Sequence, residues 1–147
     1  MKHFETISEQ NIESLIPLVL ALWPECIHKE EVENYQRILT LDRETVYLAK
    51  VEKQYVGFIH LSLRTEHVEG THTSPVVYVE GLYIQPPYRE KSIAKVLVQA
   101  GEAWGLKHHC REMASDTESS NVDSIAFHQK VGFEVANRIV CFRKDLE

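Results

Sequence analysis

Three short stretches of this 147-residue sequence carry residue types suited to chemistry. The first is Arg89-Glu90-Lys91-Ser92-Ile93-Ala94, which opens a helical pattern just after a strand-like run closed by Pro86-Pro87. The first turn of a helix offers main-chain N–H groups without intrahelical partners and the positive end of the helix dipole, so such a start suits a phosphate. Arg89 and Lys91 add cationic donors; the competing reading is a plain helix start with solvated basic residues. The second is Glu80, a carboxylate inside the otherwise apolar run 76–84. A buried acid without a partner is costly, so Glu80 is paired, water-linked or a base, unless a bulge turns it into a wet loop. The third is Ser115-Asp116 followed by Asn121, between a short strand and a helix, at the edge where open α/β sheets bind ligands. Asp116 can take an ammonium, and Asn121 can both donate to and accept from an amide. A loop aspartate and a helix-capping asparagine are the alternatives.

The elements that must position these residues follow from periodicity. Ile12, Leu15, Ile16, Val19, Leu22 and Trp23 recur on one helical face, with Ser8 as the expected cap and Pro17 as an expected kink or shifted start. A second helix is expected over residues 29–41, with Val32, Tyr35, Ile38 and Leu39 on one side. The period then changes to two: strands are expected over 45–51, 54–64 and 76–84. Tyr55, Gly57, Ile59, Leu61 and Leu63 should share a face, and the last of these strands reads as central and covered on both sides. A helix with the stripe Ile93, Val96, Leu97, Ala100, Ala103 and Trp104 comes next, weakened by Gly101 and Gly105. A strand over 111–114, a helix over 121–131 capped by Gly132, and strands over 133–135 and 139–143 complete the order. This is an α/β fold: a mixed central sheet of about six to seven strands flanked by about four helices.

Composition excludes several classes. The chain is 44% hydrophobic and 26% charged, without repeats or a linker-like stretch, so residues 1–147 are expected to form one domain. With 22 acidic against 16 basic residues the net charge is −6, which argues against nucleic acid and is compatible with a cationic substrate. No apolar run approaches a membrane span, and the N-terminus lacks the apolar core of a secretory leader, so a cytoplasmic protein is expected. Three scattered cysteines, Cys26, Cys110 and Cys141, read as reduced thiols. His108-His109-Cys110 has no second ligand cluster, and no metal is expected.

Together these residues resemble the GNAT superfamily of acetyl-CoA-dependent N-acetyltransferases. Residues 89–94 match the family's phosphate motif, Q/R-x-x-G-x-G/A, except that Ser92 stands for the first Gly. The later signature, an Asn followed seven residues on by a Tyr and then by Gly-Phe, reads here as Asn121, His128 and Gly132-Phe133. The element order is also similar, so the resemblance spans nearly the whole chain. Leu22-Trp23-Pro24, Ser74-Pro75-Val76, Glu80-Gly81-Leu82-Tyr83-Ile84, Glu112-Met113-Ala114-Ser115-Asp116 and Arg138 near Phe142-Arg143-Lys144 look more narrowly like the bacterial aminoglycoside 6′-N-acetyltransferases.

The resemblance implies that main-chain groups of Leu82, Tyr83 and Ile84 pair with pantetheine and polarise the thioester carbonyl. It implies that Arg89, Glu90, Lys91, Ser92, Ile93, Ala94 and Lys95 form the pyrophosphate cradle, and that Asn121 contacts the pantetheine arm. Trp23, Cys26, His67, Glu80, Asp116 and Asn137 would line the acceptor pocket. Glu80 or Asp116 would take the acceptor's proton for direct attack on acetyl-CoA, and His128 would stand where the family's Tyr protonates the thiolate; a packed helix-face histidine is the alternative. Cys26, His67 and Asn137 depart from the relatives' usual His, Tyr and acid. The acceptor is therefore an aminoglycoside or another amine (a polyamine, a metabolite or a protein N-terminus), and a decayed acetyl-CoA-binding module is a third reading. A homodimer paired through residues 139–143 and an intramolecular sheet edge are both open.

Overall fold

The computed structural model describes residues 2–147. Its first element is a strand that periodicity did not reveal: β1 (Lys2–Thr6) is a short edge strand, antiparallel to β2 (Glu44–Val51). Its alternation of polar residues around Phe4 carries no apolar signal. Between them lie α1 (Ile12–Leu22) and α2 (His28–Ile38). Ser8 is not the cap of α1; Asn11 takes that position, and its Oδ1 accepts from the Ser8 N–H at 2.8 Å. Pro17 lies inside α1, where it removes one helical hydrogen bond, and burial of Leu15, Ile16, Leu18 and Val19 offsets the loss.

β2 turns at Glu52-Lys53 into the antiparallel β3 (Gln54–Arg64), and β3 pairs antiparallel with β4 (Val76–Ile84). After a 3₁₀ turn at Pro86–Tyr88, α3 (Ile93–Lys107) crosses back so that β5 (Met113–Ala114) lies parallel to β4. The helix α4 (Val122–Lys130) follows, ended by Gly132 at φ +105°. The sheet order is β1-β2-β3-β4-β5.

Two apolar layers sandwich this sheet. α1 and α2 pack Leu15, Ile16, Val19, Tyr35 and Ile38 against Val46, Leu48 and Phe58. On the other face α3 packs Ile93, Leu97 and Val98 against Val56, Ile59, Leu61, Val77 and Val79. The stripe of α3 is rotated from the expected one: Val96 is exposed, while Val98, Gly101 and Gly105 face inward. Gly105 is required there, because a Cβ would lie 2.7 Å from Val77 Cγ1. The expected face of β3 is also wrong in part. A bulge at Val56 breaks the alternation, so Gly57 opposes Ala49 while Tyr55 opposes Lys50.

The strands expected over 133–135 and 139–143 do not form within the chain. Among the described residues the sheet has five strands rather than six or seven, and residues 134–147 lie outside any element. Strands exist only with partners, and this segment has none among the described residues; Ile139, Val140, Phe142 and Leu146 are 62–91% exposed. No helix among the described residues is long and apolar enough to cross a membrane.

Candidate active site

The site begins with a fork. β4 pairs with β3 along its length, but with β5 only at Val77–Met113 and Tyr78–Ala114. From Val79 to Ile84 its other edge has no strand beside it among the described residues, so main-chain groups there are left for a ligand. Leu82 and Tyr83 lie on this edge. Ile84 contributes less than expected: its carbonyl already accepts from Arg89 Nε at 2.7 Å. Arg89 is thereby folded back onto the strand end, its guanidinium 5.5 Å from the Tyr83 ring centre, rather than extended toward the loop that follows.

That loop turns left-handed twice, at Glu90 (φ 62°) and Ser92 (φ 66°). Each such turn costs a side-chain-bearing residue about 1 kcal/mol. The Ser92 hydroxyl does not cap α3, whose first intrahelical bond runs from Val96 N–H to the Ser92 carbonyl at 3.1 Å. The N–H groups of Ile93, Ala94 and Lys95 therefore have no intrahelical acceptor and point out of the helix start. Lys91 lies in the same turn. The donor set, main-chain amides plus the dipole end, fits a pyrophosphate.

The acid-bearing face comes from strand register. Leu61 opposes Val79 while His60 opposes Gly81, so Glu80 is the extra residue of a bulge in β4. A bulge re-aims its side chain. Ser62 and Arg64, two residues apart on β3, and Tyr78 and Glu80, two apart on β4, share one sheet face. Glu80 accepts from Arg64 Nη2 at 2.7 and 2.8 Å and from Ser62 Oγ at 3.3 Å. The Arg64 guanidinium carbon lies 3.5 Å from the Tyr78 ring centre, and the Tyr78 hydroxyl donates to Asp116 Oδ2. Burial, reinforced by the Asp116 carboxylate, pushes the Tyr78 phenol well above its ordinary range. Glu80 is thus the paired acid among the alternatives, and Asp116 is bound to the strand face rather than free in its loop.

Trp23, at the end of α1, covers this face: a Cβ on Gly81 would lie 2.5 Å from its ring. Cys26 follows one turn later, its N–H donating to the Trp23 carbonyl at 3.1 Å. Burial and the carboxylates of Glu31, Glu25 and Glu30 raise its thiol pKa, so it is no resting thiolate. His67 and Asn137 make no hydrogen bond or ion pair with the paired acids and meet each other's neighbourhood through Glu69. His67 Nε2 is 3.6 Å from one Glu69 oxygen, and Asn137 Nδ2 donates to the other. The loop that carries His67 and Glu69 is tied down by Glu112, which accepts from the N–H groups of His72 and Thr73, each at 2.8 Å, and from the Thr73 hydroxyl. These bonds, the Thr73 hydroxyl first, hold the Glu112 carboxyl below its ordinary range.

On the far side of the fork, Asn121 is the N-cap of α4, its Oδ1 accepting from Ser124 N–H at 3.1 Å. The capping alternative therefore holds for its oxygen, and its amide nitrogen is the group left to serve a ligand. His128 is wedged between Phe127 and Phe133, with Nε2 2.8 Å from Ser115 Oγ and Nδ1 2.7 Å from the Ser124 carbonyl. It is packed on the helix face, yet bonded toward the residue at the mouth of the fork. Among the described residues no group of three or more His, Cys, Asp or Glu side chains could hold a metal ion.

Sequence reading missed Arg64, Tyr78 and Ser62, and it quoted Glu112 and Ser115 within a motif without the partners that the structure gives them. A usable signal was present for two of them: Ser62 and Arg64 are polar residues two apart in an apolar strand, on the face opposite Leu61 and Leu63.

Comparison with known proteins identifies the family and the fold. The profile of the acetyltransferase (GNAT) family matches residues 12–133. An aminoglycoside N(6′)-acetyltransferase type 1 of Salmonella typhimurium is 37% identical over 123 residues, covering 84% of this chain and 85% of its own length. One from Acinetobacter baumannii is 36% identical, covering 95% of this chain and 96% of its own. Among solved structures, AAC(6′)-Iy in complex with the bisubstrate analogue CoA-S-monomethyl-acetylneamine superposes with a TM-score of 0.95 at 32% identity, covering 99% of both chains. AAC(6′)-Ih of Acinetobacter baumannii gives 0.94 at 33% identity over the whole of both chains. The fold, the motifs and these relatives agree, and the chain belongs to the GNAT family of acetyltransferases.

Proposed function

We propose that this chain transfers the acetyl group of acetyl-CoA directly to the 6′-amine of aminoglycosides, acting as a single domain in the cytoplasm, where acetyl-CoA is made and used. The observation that carries the reading is the placement of two carboxylates, Glu80 and Asp116, on one face beside a fork that ends at the α3 amides. Named relatives of similar length are aminoglycoside N(6′)-acetyltransferases, which supports the choice of acceptor.

In this reading the amides of Ile93, Ala94 and Lys95 hold the pyrophosphate, within a turn built from Arg89, Glu90, Lys91 and Ser92. The open edge of β4 at Leu82 and Tyr83, with the amide of Asn121, orders the pantetheine arm. Acetyl-CoA supplies an activated acetyl carbonyl. Main-chain N–H groups of the β4 edge polarise that carbonyl, and their fixed orientation costs no reorganisation. Glu80 takes the proton from the acceptor ammonium, and Asp116 holds a second ammonium of the same molecule. Trp23 walls the acceptor pocket and restricts water. The proton for the departing sulfur is held by His128 and passes through Ser115 Oγ, the group its Nε2 faces.

Release of free coenzyme A thiol from acetyl-CoA, followed against kanamycin, neamine, polyamines and peptide N-termini, tests the proposal. Turnover of kanamycin and neamine with acetylation at the 6′ position is expected. Turnover only of the other amines, or acetyl-CoA binding without turnover of any, overturns it.

We also infer that the working unit is a homodimer. Val135, Ile139, Val140, Phe142 and Leu146 expose 51–91% of their surface in a segment without strand partners, while the outer edge of β5 is unpaired among the described residues. An exposed, strand-forming apolar segment and an unpaired strand edge in the same chain are the condition for pairing between copies. Sedimentation should give a dimer that becomes a monomer on deletion of residues 138–147; a wild-type monomer at tens of micromolar overturns the inference.

A further inference from the structure

We propose that Arg64 is a specificity-determining residue: it is the resident cation of the acceptor site and must yield Glu80 before an acceptor ammonium can bind there. The proposal rests on the acceptor reading above and deepens it. Glu80 does not wait as a free carboxylate. Both its oxygens accept from the Arg64 guanidinium, at 2.7 and 2.8 Å, so the charge that would attract an ammonium is already matched.

Three features make Arg64 a replaceable partner rather than a fixed clamp. It is the last residue of β3, its side chain is 44% exposed, and the Glu80 side chain beneath it is only 23% exposed. The guanidinium thus lies on the solvent side of the acid, on the path an incoming cation takes. It also has a second resting place: it lies 3.5 Å above the face of Tyr78, a ring that attracts cations whether or not Glu80 is engaged. The arginine can therefore release the carboxylate without losing all its contacts. Ser62 Oγ still donates to Glu80 at 3.3 Å and keeps the acid oriented during the exchange.

The same arrangement governs the second acid. The Tyr78 hydroxyl that donates to Asp116 belongs to the ring over which Arg64 lies, so the two carboxylates are linked through one cation–aromatic pair. A single ammonium meets a site whose charge is already compensated. A polycation presents several charges at once and can displace Arg64 from Glu80 while another ammonium meets Asp116. Selectivity for multiply charged amines then arises from competition with a built-in cation, not from the count of acids alone.

The test is calorimetric titration of the coenzyme A-bound protein with kanamycin, and with ethylamine as a monovalent probe. Four forms are compared: wild type, Arg64→Met, Glu80→Gln and the double variant. Removing a positive charge beside a cation site should tighten kanamycin binding about fivefold or more in Arg64→Met and give ethylamine measurable affinity, with a steeper loss of binding in salt. In the Glu80→Gln background the same change should have less than half that effect. Arg64→Gln, which removes the charge while keeping a polar side chain beside Glu80, serves as the second variant should Arg64→Met fail to fold; it should show a similar gain for kanamycin, and unchanged or weaker binding in it overturns the proposal. Weaker or unchanged kanamycin binding in Arg64→Met, with native circular dichroism, overturns it. If wild type turns over kanamycin and Arg64→Met binds no tighter, only this proposal falls; if neither form binds any aminoglycoside, the acceptor reading falls with it.

Discussion

His128 Nε2 faces Ser115 Oγ at 2.8 Å while its Nδ1 faces the Ser124 carbonyl at 2.7 Å. A carbonyl only accepts, so Nδ1 carries the proton of the neutral ring, and Nε2 takes the serine hydroxyl's hydrogen. When the ring gains a second proton the direction reverses: Nε2 donates to Ser115, which then donates outward. In the proposed mechanism a histidine on a helix face and a serine at the mouth of the fork would in this way act as one proton-carrying unit.

Ser115→Ala should therefore lower kcat about tenfold or more while leaving the KM for acetyl-CoA nearly constant. The loss should fade with acetyl donors whose thiol is more acidic, since such a thiolate leaves unaided. His128→Gln should show the same donor dependence. Equal losses across all donors would reduce both residues to packing.

Ser92 stands where the phosphate motif carries glycine, and its φ of 66° is the conformation glycine adopts freely. Ser92→Gly should raise stability by about 1 kcal/mol and preserve or improve acetyl-CoA affinity. Thermal unfolding and calorimetry read both. A large loss of affinity would identify the hydroxyl itself as a phosphate ligand.

A methyl group at position 81 meets the Trp23 ring at 2.5 Å. Gly81→Ala should cost about 1–3 kcal/mol of stability, the usual range for overpacking. It should also weaken acceptor binding more than acetyl-CoA binding, because Trp23 must turn away from the acid-bearing face. Equal loss at both sites would remove Trp23 from the acceptor wall.

The edge strand β1 depends on a charge. Tyr55 Oη donates to Glu5 Oε1 at 2.7 Å, and Lys50 Nζ lies 3.2 Å from Oε2; the Tyr55 bond first, with Lys50, holds the Glu5 carboxyl down at about 2. A lowered folded-state pKa stabilises the protein above the unfolded value of 4.5 and loses that contribution as pH falls toward about 2. Tyr55→Phe should cost about 1–2 kcal/mol at neutral pH, kept modest by the partial exposure of Glu5. The gap to wild type in urea titrations should narrow from pH 4.5 down to about 2. A gap constant over that range would assign the cost to packing instead.

Periodicity was enough to place α1, α2, β3, β4 and α3 to within a few residues, because α1, β3, β4 and α3 bury long apolar faces and α2 sets Tyr35 and Ile38 against the core. It failed where partners, not composition, make the element. β1 is polar and forms only because β2 offers an edge; residues 139–143 are strand-like in composition and pair with no strand among the described residues. Glu80 was visible as an acid in an apolar run, but its environment was not. The bulge that turns it beside Arg64 is a shift of one residue in pairing, and pairing register leaves no mark in a single strand's sequence. Asn121 stood out by its place between a strand and a helix and His128 by the resemblance to the family signature, whereas the partners of Glu112 and Ser115 lie in loops whose paths depend on the whole fold.

The N–H groups of Ile93, Ala94 and Lys95 belong to the main chain, and no substitution short of proline removes them. In the proposed reading the pyrophosphate cradle is thus written in a medium that point mutation can scarcely edit, while the acceptor pocket is written in side chains, each open to replacement by a single codon. Such a protein can drift among amines for as long as α3 keeps its first turn.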